Sequence, residues 1–131
     1  MDLIIHKFTI QGRLDGLNDY IKACRSNKYA GNTMKHKNQG YVEMGIIQAC
    51  AEGKLKKICK YPVKLKITWY EPNSKRDIDN IVFATKFIQD ALVNRGMLEN
   101  DGQKQISGIS HEVLTDKKHP RIEVEIIEEC F

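Results

Sequence analysis

Several common sequence features are missing from this chain, and each absence removes a class of protein. The four cysteines form no Cys-x-x-Cys pair and have no histidine at zinc-finger spacing, which argues against a zinc module. We expect them to be reduced and mostly buried thiols. The three prolines are scattered, and no repeat or low-complexity tract divides the 131 residues. We therefore expect one domain, residues 1–131, large enough to bury a core without disulfide or metal staples.

Signals for membranes, secretion and nucleotide binding are absent as well. The first residues, Met-Asp-Leu-Ile-Ile-His, lack the basic region and long apolar stretch of a signal peptide. No run approaches the roughly 18 apolar residues that cross a bilayer. We expect a cytoplasmic protein with no membrane partner. Neither Gly-x-x-x-x-Gly-Lys-Ser/Thr nor Gly-x-Gly-x-x-Gly occurs, which disfavours a nucleotide-binding loop.

Positive charge is concentrated in one part of the chain, although the formal net charge is only +4. Between Lys22 and Arg76 there are 13 Lys and Arg residues against three glutamates, a local excess of ten. Lysine-rich stretches are often only solvated faces. A basic segment that leads into a cluster of carboxylates favours a polyanionic partner instead.

Apolar periodicity predicts the element order β-α-α-β-α-β-β. The expected strands are about 3–11, 63–70, 104–115 and 121–128, and a break in alternation near Gly108 indicates a bulge. A first helix is expected to begin near Asp15, and a second, with its apolar stripe over 42–53, to follow a loop at 27–37. The longest helix is expected at 79–95. This order favours an α+β fold, with helices on one face of a small mixed or antiparallel sheet of about four strands.

The segment Asp77-Ile78-Asp79-Asn80 is the most informative part of the sequence. Two carboxylates about 4 Å apart repel each other by roughly 4 kcal/mol at an effective dielectric constant near 20, so such a cluster usually holds a cation. Oxygen ligands alone favour Mg²⁺, with Mn²⁺ as the alternative. Asp101 follows about one helix and a short loop later and is the third candidate ligand. These acids predict a metal-dependent phosphodiesterase.

Geometry places the two acids on either side of a helix start. Side chains at i and i+2 point about 200° apart on a helix but to the same side of extended chain. We therefore expect Asp77 before the helix and Asp79 in its first turn. The simpler alternative is that one of them only caps the helix. Lys86, seven residues beyond Asp79, returns to the same helical face and is a candidate for binding the scissile phosphate.

The distance to Asp101 adds a constraint. A helix over 79–95 is about 25 Å long, whereas the chain from Gly96 to Asp101 spans at most roughly 18 Å. Either the helix ends early, or Asp101 completes the site of a partner subunit.

The chain resembles a known family at several motifs. Lys75-Arg76-Asp77-Ile78-Asp79-Asn80, Asp90-Ala91-Leu92, the segment from Gly96 to Asp101 and the stretch 12–20 are similar to the RusA family of Holliday junction resolvases, which phages and prophages often carry. The resemblance implies a homodimeric, Mg²⁺-dependent endonuclease of DNA recombination and repair that nicks four-way DNA junctions symmetrically. It assigns Asp77, Asp79 and Asp101 to the metal.

The resemblance also implies a functional lysine, which we assign to Lys86. The family pattern has its lysine about three residues closer to the acids, where this chain has Phe83. The candidate DNA-binding residues are Lys64, Lys66, Lys75, Arg76 and Lys104. Two other functions stay open at this point: a nucleic-acid-binding module without catalysis, and a magnesium-dependent nucleotide hydrolase.

Overall fold

The computed structural model describes residues 2–130, apart from the side chains of Asp2, Glu129 and Cys130. The strands are β1 (Asp2–Gln11), β2 (Val63–Glu71), β3 (Ile106–Thr115) and β4 (Arg121–Cys130). The helices are α1 (Leu17–Ser26), α2 (Ala30–Ala51), α3 (Ile78–Val82) and α4 (Thr85–Asn94). The predicted α+β order is confirmed, with α3 and α4 as two parts of the third predicted helix.

The four strands form one mixed sheet in the order β1-β4-β2-β3. β4 pairs antiparallel with both β1 and β2, while β2 and β3 are parallel. Val63, Leu65, Ile67 and Trp69 alternate with polar residues in β2, and all four are buried at 1% exposure or less. This period of two gives the sheet one apolar face, which packs with the helices into the core.

The predicted bulge is present at the start of β3. Val63 lies opposite Ile106 and Lys64 lies opposite Gly108, so Ser107 is the extra residue. The prediction of an irregularity near Gly108 is therefore confirmed.

The predicted loop at 27–37 is wrong, because α2 begins at Ala30 and is the longest helix of the described chain. Glycine and asparagine disfavour helix, but tertiary contacts override their propensity here. Asn38 is buried, and its side chain bonds Asp15 and the Met34 carbonyl. Gly31 lies so close to α1 that an added Cβ would come within 2.6 Å of the Cys24 sulfur.

The expected continuous helix over 79–95 is also wrong, because it is interrupted at Phe83 and Ala84. The Thr85 hydroxyl donates to the Val82 carbonyl at 2.5 Å. The Lys86 N–H bonds the Phe83 carbonyl instead, which gives a local i to i+3 turn.

The expectation of mostly buried thiols is wrong for the cysteines whose side chains are described. Cys24, Cys50 and Cys59 are free but exposed, and the Cys130 side chain lies outside the described part. Among the described residues, no helix combines the length and apolar character needed to cross a membrane.

Candidate metal and nucleic-acid site

Asp77 and Asp79 lie at the start of α3, beyond the carboxyl end of β2. Asp77 has extended backbone (φ −70°, ψ 155°) at the N-cap position, and Asp79 lies in the first turn, as expected from the sequence. Both side chains are exposed, and Asp77 makes no side-chain capping hydrogen bond. A side-chain cap at Asp77 therefore does not account for the two acids, both of which are exposed to solvent at the start of α3.

An ion pair fixes the backbone that leads into Asp77. Arg76 donates two hydrogen bonds to the buried Glu71, from Nε to Oε1 at 2.9 Å and from Nη2 to Oε2 at 2.8 Å. Its Nη1 also donates to the Leu14 carbonyl at 3.1 Å, which ties the segment to the chain entering α1. Arg13 lies 3.7 Å from Glu71 and adds a second positive charge. We call the Arg76–Glu71 pair the latch.

Asn80 secures the other side of the acids. Its Oδ1 accepts the Asn18 N–H at 2.9 Å, so it bonds the first turn of α1. Gly16 packs against it so closely that an added Cβ would lie 2.5 Å from Asn80 Oδ1. In the Arg-Asp-Ile-Asp-Asn run, the arginine and the asparagine therefore bond neighbouring segments of the fold, while the two aspartates between them remain exposed.

Asp101 lies elsewhere, in a polar cleft of about 440 Å³ between α2 and α4. Asp90 lines the same cleft, where it pairs with Lys35 at 3.4 Å and Lys86 at 3.3 Å. Among residues 3–128, whose side chains the structure describes, no three His, Cys, Asp or Glu side chains approach closely enough to hold a metal ion. A single chain therefore does not bring Asp101 to Asp77 and Asp79.

The comparison with protein families decides between the functions left open by the sequence. The family model for endodeoxyribonuclease RusA matches residues 17–127, which cover most of the chain and include all three acids. The chain belongs to the RusA family. Members of this family are endodeoxyribonucleases, so the chain is an enzyme that hydrolyses phosphodiester bonds within DNA. A search of curated proteins found no match.

Two residues of this RusA-family chain depart from the family pattern described above. Phe83, at the position of the family lysine, packs with Tyr20 and Phe87 at ring distances of 5.3 and 5.7 Å. Lys86 is 58% exposed but pairs with Asp90, four residues along α4, rather than with the acids of α3. Its catalytic role stays a prediction.

The predicted DNA-binding lysines occupy three separate places. Lys75 is exposed directly before the latch, and Lys104 is exposed in the turn before β3. Lys64 and Lys66 project from the solvent face of β2, where Lys66 lies opposite Glu125 of β4. Contact with DNA at these lysines stays a prediction.

Glu71 is the site residue that reasoning from sequence missed. A signal was present, because Glu71 continues the inward register of Val63, Leu65, Ile67 and Trp69. An acid at an inward position needs a cation or hydrogen-bond donors, and Arg76 follows within reach of Glu71.

Proposed function

We propose that this protein is a magnesium-dependent endonuclease that resolves four-way DNA junctions by paired nicks. The observation that carries the proposal is the exposed pair Asp77 and Asp79, held at the start of α3 by the latch and by Asn80. Two carboxylates two residues apart at one helix start repel each other unless a cation lies between them. The family supports DNA as the substrate, and the pair supports a metal-dependent cut.

The donor set fits magnesium. Mg²⁺ in phosphate chemistry commonly takes one or two carboxylates and fills its other positions with water and substrate oxygens. Asp77 and Asp79 supply such carboxylates in an exposed position that DNA can approach. Mn²⁺ accepts the same oxygen ligands. When bound, the ion supplies an activated water and offsets the charge that develops on the phosphate.

Residues around the two acids hold the acids in position and offset the charge of the phosphate. The latch holds the backbone next to Asp77, since the Arg76 guanidinium is bonded to both Glu71 and the Leu14 carbonyl. Lys75 is exposed next to it, and we expect it to bind the phosphate that flanks the cut. Its ammonium group offsets the negative charge of that phosphate, which the two carboxylates would otherwise repel.

A homodimer would bring Asp101 into this site. Asp101 sits beside α4, away from the first turn of α3 in its own chain, and its cleft opens between α2 and α4. In a two-fold dimer each chain contacts the same surface of the other, so Asp101 of each copy can complete the acids of the other. Two such sites related by a two-fold axis match the symmetric nicks of a four-way junction.

A cleavage assay tests the proposed activity. The protein is incubated with a labelled four-way junction and with a linear duplex of the same sequence, in Mg²⁺ or in EDTA. We expect nicking of the junction in Mg²⁺, none in EDTA, and a loss of at least about 100-fold in Asp79→Asn. Glu112→Gln, an exposed acid on β3, is the matched control and retains activity. Equal activity of Asp79→Asn and wild type would overturn the proposal.

Subunit complementation tests the shared site. We expect Asp79→Asn and Asp101→Asn each to be inactive as homodimers. The two variants are then mixed after mild dissociation of their subunits. If Asp101 acts across the dimer, half of the random dimers regain one intact site, which restores about a quarter of wild-type nicking. The mixture must first be shown to contain mixed dimers. If nicking is then not recovered, Asp101 does not complete the site of the partner subunit, and the shared site is wrong.

A further inference from the structure

Four exposed lysines lie in the connection between α2 and β2. This lysine loop comprises Lys54, Lys56, Lys57 and Lys60. Leu55 and Ile58 alternate with the lysines and are each 2% exposed. The loop is therefore fastened to the core by its apolar side chains while its ammonium groups face outward.

A buried pair of polar side chains holds the backbone of the loop. His6 of β1 and Glu128 of β4, each 5% exposed, meet at 3.1 Å. Glu128 accepts the N–H groups of Lys60 at 2.8 Å and Cys59 at 3.3 Å, and His6 Nδ1 accepts the Lys56 N–H at 3.2 Å. Burial opposes the ionised form of Glu128, but the hydrogen bonds from His6 and these amides outweigh it and lower its pKa.

Two further backbone bonds hold the loop, one at its first lysine and one within it. The Lys7 N–H donates to the Lys54 carbonyl at 3.1 Å, and the Ile58 N–H donates to the Met97 carbonyl at 2.9 Å. A loop that is ordered in advance loses little conformational entropy when it binds a partner. The exposed lysine side chains therefore extend from a backbone that these hydrogen bonds hold in place.

Most of the charge on the loop is not neutralised within the chain. Lys54 pairs with Glu52 at 2.9 Å. In the part of the chain that the structure describes, Lys56, Lys57 and Lys60 form no ion pair with an acid. Unpaired ammonium groups on a fixed backbone suit the phosphates of DNA, because their binding releases condensed counterions.

The loop and the two acids lie at opposite ends of β2. The loop precedes Val63, whereas Asp77 follows Glu71, and the nine residues of the strand separate them. At about 3.3 Å per residue this separation is roughly 25 to 30 Å. Phosphates of one strand advance about 3.4 Å per base pair, so the distance corresponds to roughly eight base pairs of duplex.

We propose that the lysine loop is a second phosphate-binding site, which holds the backbone of a DNA arm roughly eight base pairs from the bond that is cut. This inference rests on the proposed function, because it takes branched DNA as the ligand. It adds a place on the protein and a minimum arm length that the acids alone do not require.

Binding to junctions of two arm lengths tests the loop. Affinity is measured by fluorescence anisotropy in EDTA, with arms of about 5 or about 15 base pairs closed by hairpin loops. Lys56→Gln, Lys57→Gln and Lys60→Gln are combined in one variant. With long arms we expect an affinity loss of about ten-fold or more and a salt slope shallower by about two to three. With short arms we expect the variant and wild type to bind equally.

A control within the loop sharpens the result. Lys54→Gln also removes one ammonium group, but that group is already paired with Glu52. We expect it to change the salt slope less than Lys57→Gln does. Unchanged binding of the triple variant to long arms, or an equal loss on both arm lengths, would overturn the inference. The proposed nuclease function is judged separately, by the effect of Asp79→Asn on cleavage.

Discussion

Arg76 lies next to the two acids but directs its guanidinium away from them, into the latch. Its side chain is 16% exposed and that of Glu71 is 4% exposed, so the pair is largely removed from water. Removing one partner of such a pair leaves a buried charge without compensation, whereas removing both does not. Arg76 was predicted from sequence as a DNA-binding residue, and its contacts support a role in positioning Asp77.

Substitution of Arg76 tests whether this residue positions Asp77 or binds DNA. Arg76→Met should destabilise the fold by roughly 3 kcal/mol in urea unfolding, because Glu71 keeps its buried charge and only the longer, half-exposed contact with Arg13 at 3.7 Å still offsets it. The double variant Arg76→Met with Glu71→Met should recover most of that stability. If Arg76→Met is as stable as wild type and loses only DNA affinity, the guanidinium acts on DNA and the latch account is wrong.

His111 gives a pH-dependent prediction. The indole N–H of Trp69 donates to His111 Nδ1 at 3.1 Å, and partial desolvation lowers the pKa of His111, which remains exposed overall, below its usual 6.5. The unfolded chain therefore takes up the proton first, so this contribution is complete above pH 6.5 and is lost as the pH falls further.

Urea unfolding, followed by the fluorescence of the single tryptophan, measures the His111 contribution. Between about pH 7.5 and about pH 5.5, wild type should lose more stability than His111→Gln does. An identical loss in both proteins would assign the pH dependence to other groups.

At the scale of elements, α2 shows why a sequence pattern can fail. Its second half carries a clear apolar stripe, with Val42, Ile46 and Ala49 buried, and that half was predicted. Its first half is helical because Gly31 and Asn38 make contacts with α1 and with Asp15 that no local pattern reveals. Gly45 is a similar case, since it lets α2 lie directly on the Thr9 carbonyl of β1.

Two glycines of α2 form a matched pair for testing this packing. Gly45→Ala should destabilise the protein by roughly 1 to 3 kcal/mol, because the added methyl overlaps the Thr9 carbonyl oxygen and pushes α2 off β1. Gly40→Ala has open space around it and should stabilise by roughly 0.5 to 1 kcal/mol. Thermal unfolding compares the two, and shifts of the same sign would contradict the packing described here.

At the scale of the whole molecule, the sequence predicted the strand positions, the α+β class and the placement of Asp77 and Asp79. Those features follow from local periodicity and from the chemistry of neighbouring residues. The sequence did not reveal Glu71 as the partner of Arg76, or the buried pair of His6 and Glu128 that holds the lysine loop. Each pair depends on segments that the fold brings together. The separation of Asp101 from Asp79, by contrast, was already raised by the helix and loop lengths, and the structure places Asp101 in the cleft between α2 and α4.

The overall layout places the proposed chemistry at one end of β2 and the lysine loop at the other. The proposed chemistry requires Asp77 and Asp79 to hold a divalent ion. The most direct measurement is a titration with paramagnetic Mn²⁺, read from the broadening of backbone amide signals in NMR spectra. We predict that broadening begins at residues 76–81 and disappears in the double variant Asp77→Asn with Asp79→Asn. Broadening that is centred elsewhere, or that persists unchanged in the double variant, would contradict the account.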